Sequence, residues 1–235
     1  MAELLIGTSG FAYPAWRGAY YPSGLPDREM LAHYATDFPT VEINSTIYRL
    51  PSERILADWA GRVPASFRFA LKLSQKLTHV QRLRDCEALL ERFLGALSPL
   101  ASRQQLGPIL VQLPPTFRAD LARLDAFLQL APPVFRLALE VRHPSWYSEE
   151  AYQVLRRHRV ALCLAEDDET ATPEIVTTDF VYARLRREAY TAEALAAWRR
   201  RFDGWVGESL DVYAYVKHDE AGQAPAYARM LLGER

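Results

Sequence analysis

The chain has 235 residues, 49% of them hydrophobic and 24% charged, with 28 basic against 29 acidic side chains and a formal net charge of −1. That composition belongs to an ordinary globular protein, and a neutral balance gives no support to a partner held by bulk charge, such as a nucleic-acid coat or an anionic membrane surface. No window offers the roughly 18 apolar residues of a membrane span, so no membrane partner is expected. Cys86 and Cys163 lack CxxC spacing and read as reduced, buried thiols. The start, MAELLIGTSG, has neither the basic end nor the apolar length of a signal peptide, which makes the expected location cytoplasmic.

In chain order, an apolar run over 4–6 ends in Gly7-Thr8-Ser9-Gly10 and reads as the first strand and its exit turn. An aromatic, proline-rich loop follows, then a helix over about 27–37. The second strand spans 40–46, the next helix 52–61, and the third strand 67–73. A helix over about 84–100, a strand over 107–113 and a helix over about 119–129 come next. The fifth strand begins RLALEVR at 136; Pro144 ends it, and Ser145 is placed to cap a helix that Glu149 and Glu150 begin. Strands over 161–166, 180–186 and 210–218 complete the series, with helices over 191–202 and from 222. The connection after the sixth strand is weakly helical at best.

Strand–helix alternation at this spacing means parallel βαβ units. Eight of them in this length predict a single (β/α)8 barrel of the TIM type, somewhat irregular, over 1–235. The rival, an open doubly wound sheet, lacks its GxGxxG turn after the first strand.

A period of two divides each strand into two faces. On one face lie Glu42 with Asn44, Lys72 with Ala70, Glu140 with Arg142, Arg184 with Tyr182 and Arg186, and Lys217 with Tyr213 and Tyr215. These polar residues, with Gln112, fall late in their strands. Such positions line the C-terminal mouth of a barrel, where its chemistry is kept.

Several phrases add a resemblance. GTSG at 7–10, YPSGLP at 21–26, VEINST at 41–46, RLPS at 49–52, QLPP at 112–115 and EVRHPSW at 140–146 closely resemble the YecE-like family, domain of unknown function 72. The resemblance runs from Gly7 to about Ala228. It implies an irregular TIM-type barrel and no particular reaction, substrate or cofactor. The chain departs from the family's usual pattern at Phe11, where Trp is common, and at Arg186 and Arg187, where histidine and glycine are usual. It departs again at Lys217, His218 and Tyr227, where asparagine is usual.

Three functional readings compete. Glu42 and Glu140 form the acid/base pair of a hydrolase, with His79 as auxiliary donor, or else they form a salt-bridge network with Lys72 or Arg142. Lys72, Arg142, Arg184, Arg186 and Lys217 form a pocket for a small phosphate- or carboxylate-bearing ligand, helped by Asn44, Gln112 and His143. No cofactor is called for. In the alternative, His79 and His143 join Glu42 and Glu140 around a divalent metal in a phosphodiesterase acting on nucleic acid. The third reading is a binding protein without turnover. Tyr13 and Trp16, with Phe11, Tyr20 and Tyr21, offer a stacking platform, or else a rigid lid packed on the barrel.

Overall fold

The computed structural model describes residues 2–217 and 221–233, so the reading of His218 lies outside the described residues. Eight strands alternate with helices: β1 (Leu4–Thr8), α1 (Met30–Asp37), β2 (Thr40–Ile43), α2 (Glu53–Gly61), β3 (Arg68–Lys72), α3 (Glu87–Ala96), α4 (Ser98–Ala101) and β4 (Leu106–Gln112). Then follow α5 (Leu121–Gln129), β5 (Leu137–Glu140), α6 (Glu149–His158), β6 (Ala161–Glu166), β7 (Phe180–Leu185), α7 (Ala192–Gly207), β8 (Asp211–Val216) and α8 (Gln223–Leu232). All neighbouring strands are parallel, in the order β1-β8-β7-β6-β5-β4-β3-β2. The seam between β1 and β2 is joined by a single parallel bridge, Ser9 with Glu42. The result is the expected, nearly closed (β/α)8 barrel.

The seam is tight because Gly7 has no side chain. A Cβ there would lie 2.0 Å from the Thr40 carbonyl oxygen and 2.8 Å from the Tyr34 hydroxyl. That hydroxyl donates to the same carbonyl and accepts from the Thr8 amide, tying α1 to both seam strands.

The two faces of each strand do different work. In β5, Leu137 and Leu139 join the apolar layer under the helices, whereas Ala138 joins the barrel interior. Leu5, Ala70, Leu110, Cys163, Phe180, Tyr182, Tyr213 and Tyr215 fill that interior too. The Tyr182 and Tyr215 rings, 5.2 Å apart, block the lumen. At the N-terminal end Arg136 donates to Asp211 at 2.6 Å and lies over the Phe180 ring. Side chains therefore fill the interior below the mouth. Both cysteines are free and buried, and no described helix is long and apolar enough to cross a membrane.

Several boundaries differ from the expected ones. The helix expected over 84–100 is two helices: Arg82, Leu83 and Asp85 take left-handed backbone before α3, and Pro99 opens α4 after a break at Leu97. Ser148, not Ser145, caps α6, because residues Pro144–Trp146 first make a 3-10 turn; its hydroxyl accepts from the Ala151 amide. The second strand stops at Ile43 and turns at once through Ser45–Ile47. The connection from β6 to β7 carries no helix among its described residues.

Candidate functional site

The mouth is organised by one guanidinium. Arg184, near the end of β7 and 1% exposed, donates from Nη1 to Glu140 Oε2 on β5 at 2.5 Å. Its Nη2 donates to Glu42 Oε1 on β2 at 2.8 Å. Both carboxylates are buried and further satisfied. Glu42 accepts from Ser9 Oγ at 2.8 Å, Asn44 Nδ2 at 3.0 Å and Tyr182 Oη at 2.7 Å. Glu140 accepts from Gln112 Nε2 at 2.6 Å and Arg142 Nε at 3.1 Å. The Gln112 contact follows from register, since Gln112 and Glu140 are partners on adjacent strands.

Burial alone would raise both carboxyl groups. The Arg184 charge, with the hydrogen bonds around it, outweighs burial and holds Glu42 below the usual carboxylate range and Glu140 at about 2. An acid/base pair for hydrolysis needs one carboxyl raised toward working pH, and both of these are shifted the other way. The expected salt-bridge network is present, with Arg184 as the main partner rather than Lys72. Ser9 and Tyr182, which complete the Glu42 shell, were not among the expected site residues. Tyr182 shares a strand face with Arg184, and that was the available signal.

The other cations are differently placed. Among the described residues, the Lys72 ammonium, the Arg186 guanidinium and the Lys217 ammonium have no hydrogen bond or ion pair. Lys72 is 9% exposed. Its burial, and next the charge of Arg184, lower it to about 8 against a partial opposing pull from Glu140 and Glu42. Burial and Arg184 also lower Arg186. His79, in the π-helical turn Lys76–Val80, is lowered by burial, then by Lys72 and Arg142; its Nδ1 lies 2.8 Å from Thr78 Oγ1.

A cavity of about 600 Å³ opens beside them, lined by Glu140, Arg142, Arg186 and Lys217 and rimmed by Asp167, Asp168 and Glu188. The rim acids are mostly engaged. Asp167 accepts from the amides of Glu169 and Thr170, and Asp168 from the amide of Glu188. Glu166, at the same edge, accepts from Arg187 at 2.9 Å and Trp198 Nε1 at 2.7 Å. A second cavity, about 760 Å³, lies against α2 and α3 and is walled by Leu50, Trp59, Leu77 and Phe93, away from the carboxylates.

Other expected contributors serve structure. Trp16 is fully buried, packed at 4.7 Å from the Tyr13 ring and edge-on to Tyr20, so it offers no face to a ligand. Tyr13 is half-buried, and its hydroxyl donates to the Ser9 carbonyl at 2.7 Å. The aromatic loop is thus a packed lid. His143 Nδ1 accepts from the Ser145 amide at 3.1 Å and fixes the turn after β5. For a metal, the fit is poor: Arg184 already bridges the two carboxylates, and no group of three or more His, Cys, Asp or Glu suited to a metal comes together among the described residues.

The fold and this mouth define a single-domain TIM-type barrel with a buried Glu–Arg–Glu cluster at its C-terminal end. The family model described as "Protein of unknown function DUF72" matches residues 5–234, and the chain belongs to that family. It is 35% identical to the UPF0759 protein YecE of Escherichia coli (strain K12) over 156 residues, 66% of this chain and 54% of that one. The match thus spans about half the length of that curated relative. A DUF72 family protein from Thermotoga maritima MSB8 superimposes with a TM-score of 0.84 at 27% identity, covering 98% of each chain. One from Enterococcus faecalis V583 gives 0.81 at 20% identity, covering 99% of this chain and 96% of that one, which shows the fold alone.

Proposed function

We propose that the barrel mouth binds a small phosphate- or carboxylate-bearing ligand, with Arg142, Arg186 and Lys217 as its contacts and Lys72 beneath them. The observation that carries this reading is the imbalance of partners. Glu42 and Glu140 are matched to Arg184, while Arg186 and Lys217 line the cavity with no side-chain partner among the described residues, and the buried Lys72, which feels the Arg186 charge, has none either. Partly buried cations without counter-ions are costly, and a bound anion relieves that cost. In this reading Glu42 and Glu140 position Arg184 and set the shape of the floor, and Asn44 and Gln112 hold the two carboxylates.

Calorimetric titration with inorganic phosphate, pyruvate and citrate at low and moderate salt tests it. Saturable binding that weakens with salt is expected, and Arg186→Ala or Lys217→Ala should weaken it about tenfold each, the scale of one charge-assisted hydrogen bond. Absence of saturable binding to all three anions, or binding unmoved by both variants, overturns it.

A further inference from the structure

Lysine is rare in this chain. Of 28 basic residues only Lys72, Lys76 and Lys217 are lysines, leaving 25 arginines, so arginine supplies nearly all the positive charge. The three lysines all lie at or beyond the C-terminal ends of strands: Lys72 ends β3, Lys76 is in the loop that follows, and Lys217 follows β8. Arginine is the better residue for clamping a carboxylate or phosphate, since its fork binds two oxygens and stays charged. Lysine differs in one chemical respect: it can lose a proton and present a nucleophilic amine.

Lys72 occupies the place where that difference counts. It is buried, faces the same interior as Glu140 and Arg184, and has no hydrogen bond or ion pair among the described residues. Glu140 and Arg186, whose charges act on it, both line the 600 Å³ cavity. The nearest carboxylates are held by Arg184, so neither is left to pin the ammonium in its charged form. A buried amine beside other cations is the arrangement that activates lysines for attack on carbonyls.

We propose that Lys72 is the nucleophile of an imine-forming site, condensing with an aldehyde or ketone that also carries the anionic group bound by Arg186 and Lys217. The free amine adds to the carbonyl carbon, forming the C–N bond while the carbonyl π pair moves to oxygen. The two amine protons then leave with that oxygen as water, so the net change is amine plus carbonyl to imine plus water and needs no oxidant or metal. The cations hold the ligand's anionic group and so orient its carbonyl toward Lys72. This inference rests on the anion-binding reading above.

Reductive trapping on the whole chain tests it. Pyruvate and pyridoxal 5′-phosphate, a ketone carboxylate and an aldehyde phosphate, are each incubated with the protein and sodium cyanoborohydride, and adducts are located by peptide mass mapping. A pKa near 8 leaves roughly two orders of magnitude more free amine at neutral pH than an ordinary lysine. Lys72 should therefore be labelled at least about tenfold faster than Lys76 or Lys217, with a pH midpoint near 8 rather than 10.5. Lys72→Arg should abolish that adduct; if the variant fails to fold, the pH midpoint of the native chain decides alone. Equal labelling of all three lysines, or none at Lys72 with both probes, overturns the proposal. Lactate and inorganic phosphate, which lack a carbonyl, separate the two readings. If they slow Lys72 labelling, the anion site is supported; if Lys72 is labelled selectively but neither slows it, the imine site stands and the anion reading fails. Anion binding with no Lys72 adduct leaves the anion reading standing and sinks this one.

Discussion

Arg184 on β7 reaches across the barrel to Glu42 on β2, 142 residues earlier in the chain, at 2.8 Å. The same side chain binds Glu140 with its other terminal nitrogen. One planar fork thus joins three strands that are not neighbours. That fork, with one terminal nitrogen for each carboxylate, is what a lysine at this position could not reproduce. Arg184 Nε is buried with no partner, which marks the cluster as tightly enclosed.

Replacing Arg184 with Met should lower stability at neutral pH by about 3–5 kcal/mol, because two buried carboxylates lose their counter-ion. Without the guanidinium, burial raises both carboxyl groups, so the folded variant binds protons more readily than its unfolded chain. Its deficit should therefore shrink as pH falls from 7 toward 4.5. Urea denaturation across that range reads the trend, and a deficit that stays constant would show that the loss is packing rather than charge.

The native chain should behave in the opposite sense. Glu140 is held at about 2 in the fold against its ordinary value of 4.5. A depressed carboxyl stabilises fully above the unfolded value and loses that contribution as pH falls from 4.5 toward 2, an effect on the order of 3 kcal/mol for this group. Glu140→Gln should be less stable at pH 7 and flatter below pH 4.5. A native chain whose melting temperature is level down to pH 3 would contradict the assignment.

Lys72 carries a penalty where Glu140 carries a contribution, though stability again rises with pH. Its ammonium is depressed to about 8 from 10.5. The folded state therefore carries a penalty that is complete below pH 8 and is relieved as pH rises toward 10.5, where both states are neutral. Lys72→Met should raise stability at pH 7 by about 1–3 kcal/mol, and the gain should diminish through that window. Thermal unfolding at pH 7 and pH 10 gives the two values. A loss of stability at pH 7 would mean that Lys72 has a structural partner.

Closure of the barrel depends on Gly7. Gly7→Ala sets a methyl 2.0 Å from the Thr40 carbonyl oxygen, forcing β1 and β2 apart, and should cost about 3 kcal/mol or more. Gly95→Ala in α3, where nothing lies within 4 Å, should instead stabilise by about 0.5–1 kcal/mol. Chemical denaturation of the pair, measured side by side, checks the contrast.

Much of the fold was legible because its periodicities are local. Alternation in LALE tells which residues face the helices and which face the lumen, and eight such runs separated by helices leave few topologies open. The late-strand positions of Glu42, Glu140, Arg184 and Lys72 placed them at the mouth for the same reason. Boundaries that depend on single backbone choices were less legible. Leu83 in left-handed backbone and Ser148 rather than Ser145 as the cap both follow from how the loops pack.

The sequence by itself determined that acids and bases would meet at one end of a barrel, because strand period and chain order decide face and end. It could not decide who pairs with whom. Glu140 has Arg142 two residues away and Lys72 on a nearby strand, yet its closest partner is Arg184, two strands around the barrel. That choice rests on closure of the barrel, which brings the β7 guanidinium within reach of β2 and β5 at once. Pairing in turn decides chemistry: it leaves two carboxylates ionised and one buried amine without a partner, and both outcomes exist only in the closed barrel.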